Sequence, residues 1–158
     1  MTSRTGLATL FALLLASWAT PTGAQTTKSV SIIPVQSLSF GLLLPGHRES
    51  VRTSDVSRRA VVALAGDDPV DVTLVLPTAM ETPTGERIRL SFSAGDAALL
   101  TTSGSTISTL DPLQVNRVQF GNDRTVLFVL GGTAVTAATT RPGHYTARVA
   151  LLVNRPGT

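Results

Sequence analysis

The sequence predicts an all-β fold, an antiparallel β-sandwich with Greek-key connections, and three observations carry that expectation. Apolar residues recur at every second position in several runs, and turn-forming dipeptides stand between them. No window of about 11 residues shows an apolar stripe at helical spacing. Roughly eight short strands without intervening helices favour two packed antiparallel sheets, with closure as a barrel the other way of pairing them.

The first element is a leader rather than part of the fold. Arg4 supplies a positive charge, Leu7 to Trp18 is nearly all apolar, and Thr22-Gly23-Ala24 offers small residues for cleavage before Gln25. The apolar run is about 12 residues, short of the roughly 20 that a membrane span needs. The chain therefore divides into a signal peptide, residues 1–24, and one β-sandwich domain, residues 25–158.

Strands of weaker pattern come first: Val30 to Val35, Leu38 to Leu42 and Ala60 to Leu64. Val70, Val72, Leu74 and Leu76 alternate with Asp71, Thr73 and Val75 until Pro77 ends the run. Ile88, Leu90 and Phe92 alternate with Arg89, Ser91 and Ser93, the pattern of a half-buried strand. Thr101 to Thr109, rich in Ser and Thr, reads as an exposed loop, and Leu113 to Phe120 as a further strand. Thr125 to Leu130 is apolar on both faces, as a central strand should be, whereas the Ala/Thr-rich Thr133 to Thr140 has room for one helical turn. The longest alternation runs from Tyr145 through Ala147, Val149 and Leu151 to Val153. Tyr145, Val149, Leu151 and Val153 are thus expected in one core with Val70, Val72, Leu74, Ile88, Leu90 and Phe92.

Composition narrows the function. Lys+Arg 13 against Asp+Glu 10 leaves only +3, and aromatic residues make up 4%, too few for a basic surface with stacking platforms, so no nucleic-acid partner is expected. The absence of Cys excludes thiol catalysis, thiolate zinc sites, disulfides and lipid attachment on Cys. No later stretch is long and apolar enough to span a bilayer as a helix.

Candidate chemistry is sparse. His47 and His144 each adjoin a Pro-Gly turn and read as exposed turn residues; a metal site would need the two turns to meet beside a carboxylate. Asp67, Asp68 and Asp71 form the densest acidic group, yet Gly66 and Pro69 make it an ordinary turn rather than a set of calcium ligands. Gly104-Ser105 lacks the second glycine of a nucleophile elbow, and the sole Lys, Lys28, follows no glycine-rich run. Glu49, Glu81, Glu86 and Asp111 read as solvated loop acids, while Arg58, Arg59, Arg87, Arg89 and Arg148 should cover outer sheet faces. The expectation is a chain without catalytic, cofactor-binding or metal residues, needing no cofactor and acting as no enzyme.

Two stretches read together resemble a known family. They are Leu38-Ser39-Phe40-Gly41 with Pro45-Gly46, and Arg141-Pro142-Gly143-His144-Tyr145-Thr146-Ala147-Arg148-Val149-Ala150-Leu151-Leu152-Val153-Asn154. Across most of residues 25–158 the chain resembles the bacterial domain of unknown function 4402 family and, more distantly, the spore coat protein U family. The resemblance implies an immunoglobulin-like or pilin-like sandwich at the cell surface, with no catalytic residue to carry over. It also implies a bulge or bend at Gly41, a tight entry to the last strand at Pro142-Gly143, and a core-edge place for Tyr145. The chain departs from many pilin-like subunits in lacking a disulfide, and its N-terminal alternation, Val30 and Ile32, is shorter than a donated strand usually requires.

The functional expectation is an exported, non-enzymatic structural or adhesive subunit that works through strand pairing or surface contacts. It would reside in the periplasm, on the outer cell surface or outside the cell. Its partners would be other surface or fimbrial subunits or a periplasmic chaperone, and made alone it would be a monomer, Val30 to Val35 closing the edge beside the last strand. A module binding a glycan or small ligand through end loops is the alternative. The exported protein should begin at Gln25; intact mass of the exported species checks this, and a membrane-bound form retaining Met1 would contradict it.

Overall fold

The computed structural model describes residues 29–156, so the leader, the cleavage site before Gln25 and Lys28 lie outside the described residues. Those residues are all β, with no helix and with every ladder antiparallel. Twelve strands lie among them: β1 (Ser31–Gln36), β2 (Arg48–Val51), β3 (Ala60–Ala65), β4 (Val70–Val75), β5 (Ala79–Glu81), β6 (Arg87–Ser91), β7 (Ala97–Leu100), β8 (Thr106–Leu110), β9 (Asn116–Val118), β10 (Thr125–Leu130), β11 (Gly132–Val135) and β12 (Ala150–Asn154). They form sheets in the orders β1-β3-β10-β7-β8, β2-β11-β6-β5 and β12-β4-β9.

The first two sheets are joined end to end. Gly131 alone separates β10 from β11, so one extended run enters the first sheet between β3 and β7 and the second between β2 and β6. The junction requires glycine: a Cβ at Gly131 would lie 2.2 Å from the Val51 carbonyl oxygen. Burial is continuous through it, since Phe128, Val129, Leu130, Thr133 and Ala134 are all buried.

Three apolar clusters occur among the described residues. Leu64, Ala97, Leu99, Val126, Phe128 and Leu130 of the first sheet bury against Val70, Val72 and Val118 of the three-stranded sheet. Phe40, Val51, Ile88, Leu90 and Ala134 form the second cluster, against which Leu38, Leu43, Met80 and Tyr145 pack. Phe92 touches both. Val61, Ala98, Leu100 and Val129 of the first sheet form a third cluster, so the single interior expected from sequence is divided in three, with Phe92 joining the first two.

Five expected strands occur close to their expected bounds: β1, β3, β4, β6 and β10, the last in the central position that its two apolar faces suggested. Others are corrected. Leu38 to Leu42 is not a strand; Gly41 takes φ +67° in a non-strand segment whose Phe40 is nonetheless buried. Leu113 to Phe120 contracts to β9 because Asp111 opens with a turn, its carboxylate accepting the Leu113 N–H at 2.9 Å. Thr133 to Thr140 holds no helical turn: β11 occupies its start, and Ala137 to Thr140 closes a turn. The Thr101 to Thr109 loop is a hairpin instead, with β8 beginning at Thr106.

The Tyr145 to Val153 strand shortens most. Only Ala150–Asn154 pairs, with β4, and before it Thr146 makes an isolated bridge to Glu81. Val149 is 41% exposed, and Tyr145, Leu151 and Val153 are half-buried rather than interior. Nor does β1 close the edge beside the last strand: it pairs with β3, in another sheet.

Leu64→Ala should cost about 2 to 5 kcal/mol, the range for a buried large-to-small change, and Leu151→Ala clearly less because its side chain is half-exposed. Gly131→Ala should cost roughly 1 to 3 kcal/mol by overpacking. Urea unfolding of the three variants checks the ranking; a Leu151→Ala loss equal to that of Leu64→Ala would contradict it.

Candidate functional site

The three-stranded sheet packs on the first sheet only, and non-strand chain covers the second. Residues 37–45 lie over that half from one side, and residues 140–149 from the other. Between them opens an apolar groove of about 1010 Å³. Ile32 and Pro34 of β1 line one edge and Val149 and Leu151 the other, with Val62, Leu74, Phe128 and Leu130 deeper in.

Its position follows from strand order. β1 ends the first sheet and β12 ends the three-stranded sheet, so the groove lies where each has a side with no neighbouring strand. Four large apolar side chains that line it reach solvent: Ile32, Val149, Leu44 and Leu42, the last 89% exposed. They are four of the twelve exposed large apolar residues described, gathered at one opening.

The 37–47 wall is held at both ends. The Ser39 N–H donates to the Arg58 carbonyl at 2.8 Å, and the Gly46 N–H to the Ala137 carbonyl at 3.0 Å. Buried Thr136 places its hydroxyl 2.6 Å from the Leu44 carbonyl and accepts the His47 N–H at 2.9 Å. Arg58 in turn bonds both Glu49 and Asp55. The Ser57 hydroxyl, then Arg58, hold the Asp55 carboxyl below its ordinary value of 3.8, and Glu49 followed by Asp55 holds the Arg58 guanidinium above its ordinary range.

Polar chemistry at the groove is limited. Arg141 is the one lining side chain with a formal charge, and it pairs with Glu86 at 3.3 Å. The Tyr145 hydroxyl donates to the Arg141 carbonyl at 2.7 Å, which tightens the turn after Thr140. Gln36 lines the groove, and its amide donates to the Arg59 and Val56 carbonyls at 2.7 and 3.0 Å.

The residues singled out from sequence fall as follows. Pro45 and Pro142-Gly143 do line one groove, bringing the two Pro-Gly turns to the same end of the molecule, and His144 lines it too. His47 is exposed with Nδ1 2.9 Å from the Pro45 carbonyl, and no group of three His, Cys, Asp or Glu that could hold a metal occurs among the described residues. Asp67 pairs with Arg124 at 3.1 Å, while Asp71 sits in β4 opposite Arg117. Ser105 lies in the β7-β8 turn, its N–H bonded to the Thr101 hydroxyl.

Each of the four acids has its own partner. Glu49 binds Arg58, Glu81 binds Arg87, Glu86 binds Arg141, and Asp111 caps its own turn. Arg87 and Arg89 are exposed on either side of buried Ile88, as alternation required. Leu42-Leu43-Leu44 as a groove wall was not foreseen from the sequence, where the expected strand Leu38 to Leu42 took in only the first leucine of this run before the Pro-Gly turn. A scan of the chain against protein-family models finds no match, and a search of curated proteins finds none either.

The Asp55 cluster gives a pH dependence with a definite sign. A depressed carboxyl stabilises the fold fully above its unfolded value, near 3.8, and loses that contribution as pH falls through the lower folded value. Thermal midpoints of the protein and of Asp55→Asn should therefore differ at pH 6 and draw together as pH falls below the ordinary carboxyl value of 3.8; a difference that does not shrink in acid would contradict the assignment.

Proposed function

We propose that the chain is an exported, non-enzymatic structural or adhesive cell-surface subunit that accepts an extended strand from a partner in the apolar groove. Its sandwich is read as immunoglobulin-like or pilin-like, with Greek-key connections and a cleaved leader ahead of it. The observation that carries this reading is the groove's location between the unpaired sides of β1 and β12. A strand laid there would supply main-chain hydrogen bonds to an edge and alternate apolar side chains to the groove floor, the two components of β-augmentation. The resemblance of Leu38 to Gly41 and Arg141 to Asn154 to the domain of unknown function 4402 family supports the same reading. Partners on this view are other surface or fimbrial subunits or a periplasmic chaperone.

A second reading, a surface module for a small apolar ligand, draws on the groove's volume, which is of the order of ligand pockets at about 300 to 1,000 Å³. The free strand edges on both sides favour the peptide, because a small ligand would leave those backbone groups without partners.

The purified mature chain should be a monomer by mass in solution. It should bind a labelled eight-residue peptide of alternating Val and Thr and ignore a peptide of the same composition with its valines in one block. Ile32→Ser at the groove should weaken binding, and Val56→Ser, at an exposed apolar residue outside it, should not. Binding of palmitate without either peptide would favour the small-ligand reading, and polymeric material from the chain alone would contradict the monomer.

A further inference from the structure

We propose that the partner strand adds to β12 and not to β1, that it converts Ala147 to Val149 into strand as it binds, and that it carries a carboxylate opposite Arg148. The proposal rests on the reading of the groove as a strand acceptor.

The first observation is an alternation longer than its pairing. Apolar residues recur from Tyr145 to Val153, yet β12 starts at Ala150, and the segment before it is held at Tyr145, which packs on the second cluster, and at the bridge between Thr146 and Glu81. Ala147, Arg148 and Val149 lie between that bridge and β12, exposed and without a strand partner. Ala147 and Val149 nonetheless line the groove. Their pattern suits a half-buried strand, but they lack a neighbour on either side: β4 ends at Val75, ahead of Pro77, and the other side is open.

The second observation distinguishes the two edges. β1 carries Pro34 at its middle, which has no N–H to donate, and its register shifts between Pro34 and Gln36. Proline and bulges are the devices that blunt an edge against another strand. From Tyr145 to Asn154 there is no proline, and no register shift interrupts the β12 ladder.

Charge then specifies the occupant. No Asp or Glu lines the groove, and its one charged side chain is Arg141. Arg148, between two groove-lining residues, belongs to the other row of the same segment, is exposed, and makes no ion pair among the described residues. A cross-strand carboxylate is the natural neighbour for it. The chain's own N-terminal strand is already paired with β3, so the fitting partner is an extended segment of another polypeptide, apolar at every second residue on one row and acidic on the other.

Two peptides test this, Thr-Val-Glu-Val-Thr-Val-Thr-Val and its Glu-to-Lys counterpart, with backbone amide exchange read residue by residue on the mature protein. Binding of the Glu peptide should slow exchange at Ala147 to Val149 by about tenfold or more and leave Ser31 to Gln36 unchanged. Arg148→Glu should weaken the Glu peptide and strengthen the Lys peptide by roughly two- to fivefold, the size of one cross-strand charge pair. Protection at β1 instead, or no reversal of preference in Arg148→Glu, would overturn this proposal while leaving the strand-acceptor reading intact. Failure of every alternating peptide to bind the folded protein would overturn both.

Discussion

The close approach of Gly131 to the Val51 carbonyl is the constraint on which the architecture turns. Because no side chain intervenes there, β10 can run on into β11, and a single stretch of chain becomes the middle of two sheets. Phe128 and Leu130 then belong to one apolar cluster and Ala134 to the next, with Phe92 packed against both. The second layer is shorter than the first. Its three strands cover one cluster, and the other is covered by irregular chain tied down by backbone bonds and by Thr136. The groove is the seam where strand cover gives way to irregular cover.

Such a seam has an energetic character of its own. Fully buried residues such as Phe128 form its floor, while Leu42, Leu44, Ile32 and Val149 at its mouth remain in contact with water. Leu42, 89% exposed, has most of the roughly 1.5 to 3 kcal/mol of full burial still to gain, and the other three about half of it. The wall residues are nevertheless well placed before any partner arrives, since the bonds of Ser39, Gly46 and His47 fix the segment that carries the leucines. Preorganisation of this kind lowers the ordering cost of association.

What was legible in the sequence and what was not divides along a physical line. Strands that bury one face against a sheet announce themselves by alternation, so β4 and β6 stood where the pattern placed them. β7 escaped because Ala97 to Leu100 is apolar on both faces and only four residues long. β2 escaped for the opposite reason: Arg48, Glu49 and Ser50 look like loop, and pairing with β11 is what makes them strand. Tyr145 to Val153 shows the converse error, a good pattern without the tertiary partner that pairing needs. The site was less legible than the fold. Its lining comes from β1, β3, β4, β5, β6, β10, β12 and the irregular chain between strands, and no local motif reports such a convergence.

The long run through Gly131 also sets the order in which this molecule comes together. β2 pairs with β11 and β3 with β10, and the Ser50 to Thr133 hydroxyl contact spans 83 residues. Ladders between parts of the chain so far apart must close large loops before they return any stabilisation, which places proteins of this topology among slow folders. Until β10 and β11 arrive, the apolar faces of β1 and β3 stay open to other chains. During that interval the protein's vulnerability is one of time rather than of final stability, and a companion that shields those strands would change the yield of folded molecules without altering the fold they reach.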